Sequence, residues 1–209
     1  MHRVLFKISR FRFMGAIVGI IFKYVPFLLP INNKQISKNR VVLNHPVPLY
    51  DKHLLAIPRR VIRSIIDTDV KDKDILVDVF SEAINMCANN ESYWNICING
   101  GRRQDVRQAH FHLYTNTYNS KTRSGSNRRI HDLSNKEINV FMHTEKDGSR
   151  SYVFSYVNKS KKISMLFKDI LNKLPGLNVE LDLVEKGFSV IYNMCIDEII
   201  LNVGDLSSW

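Results

Sequence analysis

The sequence predicts an α+β fold, an antiparallel sheet with a helix packed on it, and three observations predict it. Residues 108–113 alternate, with Gln108, His110 and His112 interleaved with Ala109, Phe111 and Leu113, the period-two pattern of a half-buried strand. Ile75, Leu76, Val79, Phe80, Ala83, Ile84 and Cys87 make one stripe at helical spacing, as an amphipathic helix buried on one face would. Short apolar runs flank that helix and are separated by turn residues, so residues 41–115 read strand, strand, helix, strand, loop, strand.

The leader, residues 1–37, comes first. The first 40 residues hold Arg3, Lys7, Arg10, Arg12, Lys23, Lys34, Lys38 and Arg40 and no acidic residue. The apolar run from Phe13 to Phe22 is interrupted by Lys23 and Pro26. It is shorter than the roughly 20 apolar residues a membrane-spanning helix needs, and no small-x-small cleavage pattern follows it. Two readings remain: a basic helix that packs on the body or lies in an anionic membrane interface, or an Arg-rich organellar presequence. The first predicts Phe13, Ile17, Ile20 and Ile21 buried on the body or inserted in the interface.

The predicted core, residues 38–118, follows. Residues 41–45 read as a strand, Pro46 and Pro48 as a turn, and 53–60 as a second strand stopped by Pro58. Residues 67–74 are a polar linker. The helix at 75–87 ends at Asn89-Asn90, and 93–98 form a strand that delivers Asn99. Asn99-Gly100-Gly101 predicts a loop where backbone can approach a ligand closely. The alternating strand comes next. With both histidines on one face, the residues alone leave three readings open: a solvated sheet face, half of a metal site, or a phosphate site.

Residues 119–137 read as a basic linker, with Lys121, Arg123, Arg128 and Arg129 among Ser and Asn. The extension, residues 138–209, reads as two strands, a helix and two strands. Ile138–His143 and Tyr152–Val157 flank the turn signal Asp147-Gly148. A stripe from Ile163 to Leu174 ends at Pro175-Gly176, and Val179–Val184 and Phe188–Met194 predict a hairpin around Lys186-Gly187. The extension includes His143, and His131 precedes it in the linker; neither belongs to a recognisable motif. Its expected role is to cover a sheet edge or to form a dimer surface. The sequence shows no internal repeat.

A formal charge of +10 and a pI near 9.6 point to an anionic partner: nucleotide, nucleic acid or anionic lipid. Cys87, Cys97 and Cys195 are far apart and form no Cys-x-x-Cys. They suit a reducing compartment, not a disulfide framework or a zinc knuckle.

Gln104, Val106, His110 and His112 resemble the signature of the histidine triad (HIT) family, Gln-x-Val-x-His-x-His-x-His. Gln108 stands where the first histidine would be, as in a Gln-x-His-x-His branch. His53-Leu54-Leu55-Ala56-Ile57-Pro58-Arg59 is similar to a second family motif, and the resemblance covers roughly residues 30–118. It implies a metal-independent nucleotide hydrolase or nucleotidyl transferase, phosphoramidase- or pyrophosphatase-like, that works at the α-phosphate through a nucleotidyl-histidine. By position, His110 would be the nucleophile and His112 would bind the α-phosphate oxygens. His53 would hold the neighbouring phosphate or leaving group, and Gln108 would orient it. Asn99 and the backbone N–H groups of Gln104, Asp105 and Val106 would complete the cradle. Asn44 and His45 fall at the ribose and base position. Asp105 replaces a hydroxyl residue that helps the leaving group in the family. No cofactor or metal is implied. The implied substrate is a nucleotide, purine by preference, and the implied assembly a homodimer. A retained leader fits the similar Leu28-Leu29-Pro30 ending of family leaders, with residues 1–31 available to an anionic membrane surface. Location is then cytoplasmic, with or without membrane association, or organellar if a presequence is cleaved. The other function this resemblance leaves open is a HIT-fold module that binds nucleotide or RNA and turns over poorly.

Overall fold

The apolar stripe becomes helix α1, Val70–Ala88, five residues longer at its start than the stripe. Asp69 caps it by accepting the N–H of Asp72. The computed structural model describes residues 35–89, 94–115, 126–129, 138–144, 150–156, 162–194 and 197–204, with five helical positions of the leader at 17, 20, 21, 23 and 24. The strands are β1 (Gln35–Ile36), β2 (Arg40–Asn44), β3 (His53–Pro58), β4 (Trp94–Gly100), β5 (Phe111–Thr115), β6 (Ser126–Arg129), β7 (Ile138–Thr144), β8 (Arg150–Tyr156), β9 (Phe188–Asn193) and β10 (Glu198–Gly204). Two more helices follow β8: α2 (Ile163–Leu181) and α3 (Leu183–Lys186). The architecture is α+β. All the strands belong to one sheet, in the order β1-β2-β3-β5-β4-β9-β10-β8-β7-β6, and every pairing is antiparallel.

That order contains a repeat that the sequence hides. The first unit runs β1, β2, β3, α1, β4, β5, and its strands lie in the order β1-β2-β3-β5-β4. The second unit runs β6, β7, β8, α2, β9, β10, and its strands lie in the order β6-β7-β8-β10-β9. The units join where β4 pairs with β9, Cys97 opposite Ile191. The expectation that the C-terminal part covers a sheet edge is met there.

Both helices lie on one face and share a core. Leu76, Val79, Phe80 and Ala83 of α1 and Leu166, Phe167, Ile170, Leu171 and Leu174 of α2 are buried together. The rings of Phe80 and Phe167 are 4.4 Å apart. Ala109, Phe111 and Leu113 point into this core, as the alternation predicted. On the opposite face Val41, Leu43, Leu55 and Ile57 form a smaller cluster.

Four sequence expectations change. The helix does not stop at Pro175-Gly176. It continues to Leu181, where half-buried Leu177 and Leu181 pack against the core beyond the proline, so packing overrides the local break. Val179–Val184 is consequently the end of α2 and the start of α3 on either side of Asp182, not strand, and the second hairpin is β9 with β10. The predicted basic linker contains β6, which pairs with β7 at the sheet margin, where charged residues are at home. Strand β5 begins at Phe111, so Gln108 to His110 are an extended lead-in and not part of the ladder.

In the leader, Ile17 is 43% and Ile20 48% exposed, and Ile21 is half-buried. Burial of Ile17 and Ile20 on the body is therefore not found. Phe13, Lys121, Arg123, His131, Cys195 and the Asp147-Gly148 turn lie outside the described residues. Among the described residues, no helix is long and apolar enough to cross a membrane.

Candidate functional site

Strand pairing assembles a cluster of imidazoles on the sheet face away from α1. His53 opens β3 opposite Tyr114, and His112 on β5 lies opposite Leu55. His53 Nε2 and His112 Nδ1 are 3.0 Å apart. His45 follows β2, and its peptide N–H donates to His53 O at 2.8 Å. Its ring stacks on that of His53 at 4.1 Å with 9° between the planes. His110 leads into β5, its ring 4.8 Å from that of His112. Tyr50 closes the far side, edge-on to His53 and stacked on Tyr114.

The turn predicted at Pro46 and Pro48 decides the proton positions. Val47 N–H donates to His45 Nδ1 at 3.1 Å, and Leu49 N–H to His53 Nδ1 at 3.4 Å. A neutral imidazole that accepts at one nitrogen carries its proton on the other. His53 therefore donates from Nε2 to His112 Nδ1, which leaves the His112 proton on Nε2. His110 is the reverse case. Its Nδ1 lies 2.7 Å from Gln108 O, a carbonyl that can only accept, so Nδ1 is protonated and Nε2 carries a lone pair. Adjacent rings thus offer a lone pair (His110) and a donor (His112).

All four rings favour the neutral form. Burial is the first cause each time: it lowers His45 and His110, takes His112 well below 6.5, and brings His53 to about 3. Mutual repulsion of the imidazoles adds to this for His45, His53 and His112. The Asp105 carboxylate opposes it at His45 and His110, which places that charge within reach of both rings.

The remaining predicted residues divide. Asn99, half-buried at the end of β4, shares the His112 face, and continuing the register sets it opposite His110. Asn44 is exposed at the end of β2. Val106 is buried, and its carbonyl accepts from Gln108 N–H and Gln104 Nε2. Gln108 departs from its expected role. It is 1% exposed, its Oε1 accepts from Ile62 N–H and its Nε2 donates to Arg60 O. Its amide ties the strand entry to residues 60–62 and has nothing left for a phosphate. Gln104 likewise bridges Arg63 O and Val106 O through its side chain, and its own N–H goes to Gly101 O. The close approach allowed by Gly100 and Gly101 is to the second unit, not to a ligand. A Cβ on Gly100 would sit 2.2 Å from the Phe188 ring, and one on Gly101 (φ +60°) 2.5 Å from Leu183 O.

His45, His53 and His112 also bring ligand atoms within 4.8 Å of one another, a spacing a transition metal can use. A metal-bound imidazole keeps its proton on the other nitrogen, which then donates. In His45 and His53 the nitrogen in that position receives a backbone N–H instead. The donor set fits a neutral hydrogen-bonded chain better than a metal.

Sequence reasoning did not find Ser189 and Arg103, which stand behind Asn99. Arg103 is in the loop the sequence singled out, but its partner is 86 residues away, and no local pattern could signal it. Tyr114 was visible as the next term of the alternation after His112.

No protein-family profile and no curated protein matches the sequence. Among solved structures, a DUF4931 family protein from Bacillus cereus is similar at a TM-score of 0.54 and 12% identity, over 81% of this chain and 83% of that one. This shows a shared fold. A histidine triad protein from Clostridium difficile is similar at a TM-score of 0.39 and 19% identity, over 49% of this chain and 91% of that one. Yeast Ap4A phosphorylase in complex with AMP is similar at a TM-score of 0.47 and 10% identity, over 85% of this chain and 62% of that one.

Proposed function

We propose that the chain is a nucleotide hydrolase or nucleotidyl transferase of the HIT kind, acting at an α-phosphate through a nucleotidyl-His110 intermediate. The observation that carries this is the opposite proton placement on two rings 4.8 Å apart. The two resembling motifs, at 53–59 and 104–112, support it. His110 Nε2 attacks the α-phosphorus with its lone pair while the bond to the leaving group breaks. His112 Nε2–H donates to a non-bridging oxygen, and Asn99, on the same face of the sheet, turns its amide N–H groups to the same charge. The cationic ring so formed is stabilised by its Nδ1–H bond to Gln108 O, which becomes charge-assisted. Water then attacks phosphorus, the P–N bond breaks and the lone pair returns to His110. In the first step the leaving group departs with the electron pair of its bond to phosphorus and takes a proton from solvent; in the second the attacking water gives its hydroxyl to phosphorus and returns one proton to solvent, so one water is consumed overall. None of these steps needs a cofactor or a metal.

The substrate is a nucleotide, with His45 and Asn44 at the sugar and base end. A panel of adenosine and guanosine phosphoramidates, dinucleoside polyphosphates and adenylylated 5′ ends, assayed with EDTA present, tests the reading. Turnover of one class and a nucleotide adduct on the peptide containing His110 are expected. Nucleotide binding without turnover favours the weakly catalytic module, for which the withdrawal of Gln108 is the supporting observation. Membrane contact through residues 1–31 is tested by flotation with anionic vesicles, and homodimerisation by light scattering.

A further inference from the structure

We infer that Ser189, on the second unit, is a positioning residue for the reaction, acting on the substrate through Asn99; this rests on the function proposed above. Asn99 Oδ1 accepts the Ser189 hydroxyl at 2.7 Å and the Cys97 thiol at 3.4 Å. Ser189 Oγ in turn accepts from Arg103 Nη1 at 3.3 Å, and Arg103 Nη2 donates to Gly204 O. Every bond in this chain has one direction: guanidinium to hydroxyl, hydroxyl to amide oxygen.

The direction decides what the site sees. An amide presents either its oxygen or its NH2, and the two differ in sign toward a phosphate. With Oδ1 held by Ser189, the Nδ2 donors are the free end, and they have no partner among the described residues. They lie on the face of His112, with Asn99 opposite His110 in the continued register. Without the Ser189 hydroxyl only the weaker Cys97 thiol holds Oδ1, and the amide can turn its oxygen toward the phosphate, where it repels. Ser189 is itself 6% exposed and is paired to Asn99 by the β4–β9 ladder, so its hydroxyl is fixed by the sheet. The arrangement gives the second unit a part in the chemistry without a reactive group of its own. The ligand it serves is the anionic phosphate of the nucleotide, not its base.

The test is a double-mutant cycle on the full chain, with Ser189→Ala, Asn99→Ala and both together, read by kcat and KM on the best substrate of the panel and by calorimetric binding of AMP. Ser189→Ala is expected to lower kcat/KM about tenfold, with most of the loss in kcat. In the Asn99→Ala background Ser189→Ala is expected to change kcat/KM by less than twofold, because the group it orients is gone. A purely structural hydroxyl would cost the same factor in both backgrounds, and that result overturns the inference. So does an unchanged kcat/KM in the single variant. The functional reading fails separately, if His110→Asn retains turnover or no adduct forms. If the wild-type chain neither binds AMP nor turns over any member of the panel, both fall together.

Discussion

The two units of the sheet have the same element order and the same strand order, yet among the described residues the imidazole cluster lies on the first. The units differ in where their strands carry histidine and in one connection. Ten residues, 101–110, join β4 to β5, and they fold back to place Gln108 O under His110. Four residues, 194–197, join β9 to β10, with Asn193 paired to Glu198. Strands β8, β9 and β10 contain no histidine. Topology therefore supplies a platform and not the chemistry. What the second unit does supply is the wall against which the longer connection is set: the Phe188 ring, the carbonyls of Leu183 and Val184, and Ser189.

The largest expected effect separates the units outright. His110→Asn should lower turnover by about three orders of magnitude or more, since the remaining groups only stabilise charge. Nucleotide affinity should stay within about tenfold, or about 1.4 kcal/mol. Single-turnover kinetics and calorimetry read the two, and an adduct mapped to His112 would reverse their roles.

A second expectation probes the wall. Gly100→Ala drives a methyl into a fully buried ring and should cost about 1–3 kcal/mol in urea denaturation. Gly176→Ala, in α2 with nothing within 4 Å of the new Cβ, should instead gain about 0.5–1 kcal/mol. Equal effects at the two glycines would mean that the loop does not seat on Phe188.

Acid should act through the first unit. The folded-state pKa values of His45, His53, His110 and His112 lie below 6.5. Below that pH the unfolded chain binds more protons than the folded one. Stability is thus complete above about pH 6.5 and falls on acidification, for His53 down to about 3. The slope approaches about 1.4 kcal/mol per pH unit for each fully neutral ring. Urea midpoints at pH 7.5 and 5.5 measure it, and His53→Leu should flatten the acid limb. A limb unaltered by His53→Leu would move the titration out of the cluster. The smallest expected effect is that of EDTA, which should leave turnover within twofold. A large loss restored by zinc would show that His45, His53 and His112 hold a metal after all.

Local pattern alone determined much of this protein. The α1 stripe, the inward alternation of Ala109, Phe111 and Leu113, and the placing of His110 beside His112 all follow from residue periodicity, which depends only on backbone geometry. The motif register singled out His53 as well. Only the tertiary structure decided the rest. Gln108 matched a site position but is occupied by backbone of residues 60–62, because a buried amide must find partners wherever the fold offers them. Gly100 and Gly101 announced a close approach, read as one to a ligand, and the neighbours are Phe188 and Leu183. Proton positions on His53 and His112 depend on one backbone amide in the 46–50 turn, the Leu49 N–H. Helix α2 ran through Pro175 because the packing of half-buried Leu177 and Leu181 on the core outweighed the local break. The repeat of the two units left no trace in the residues, since each unit needs only apolar faces and turns in the right order, and many sequences meet that demand.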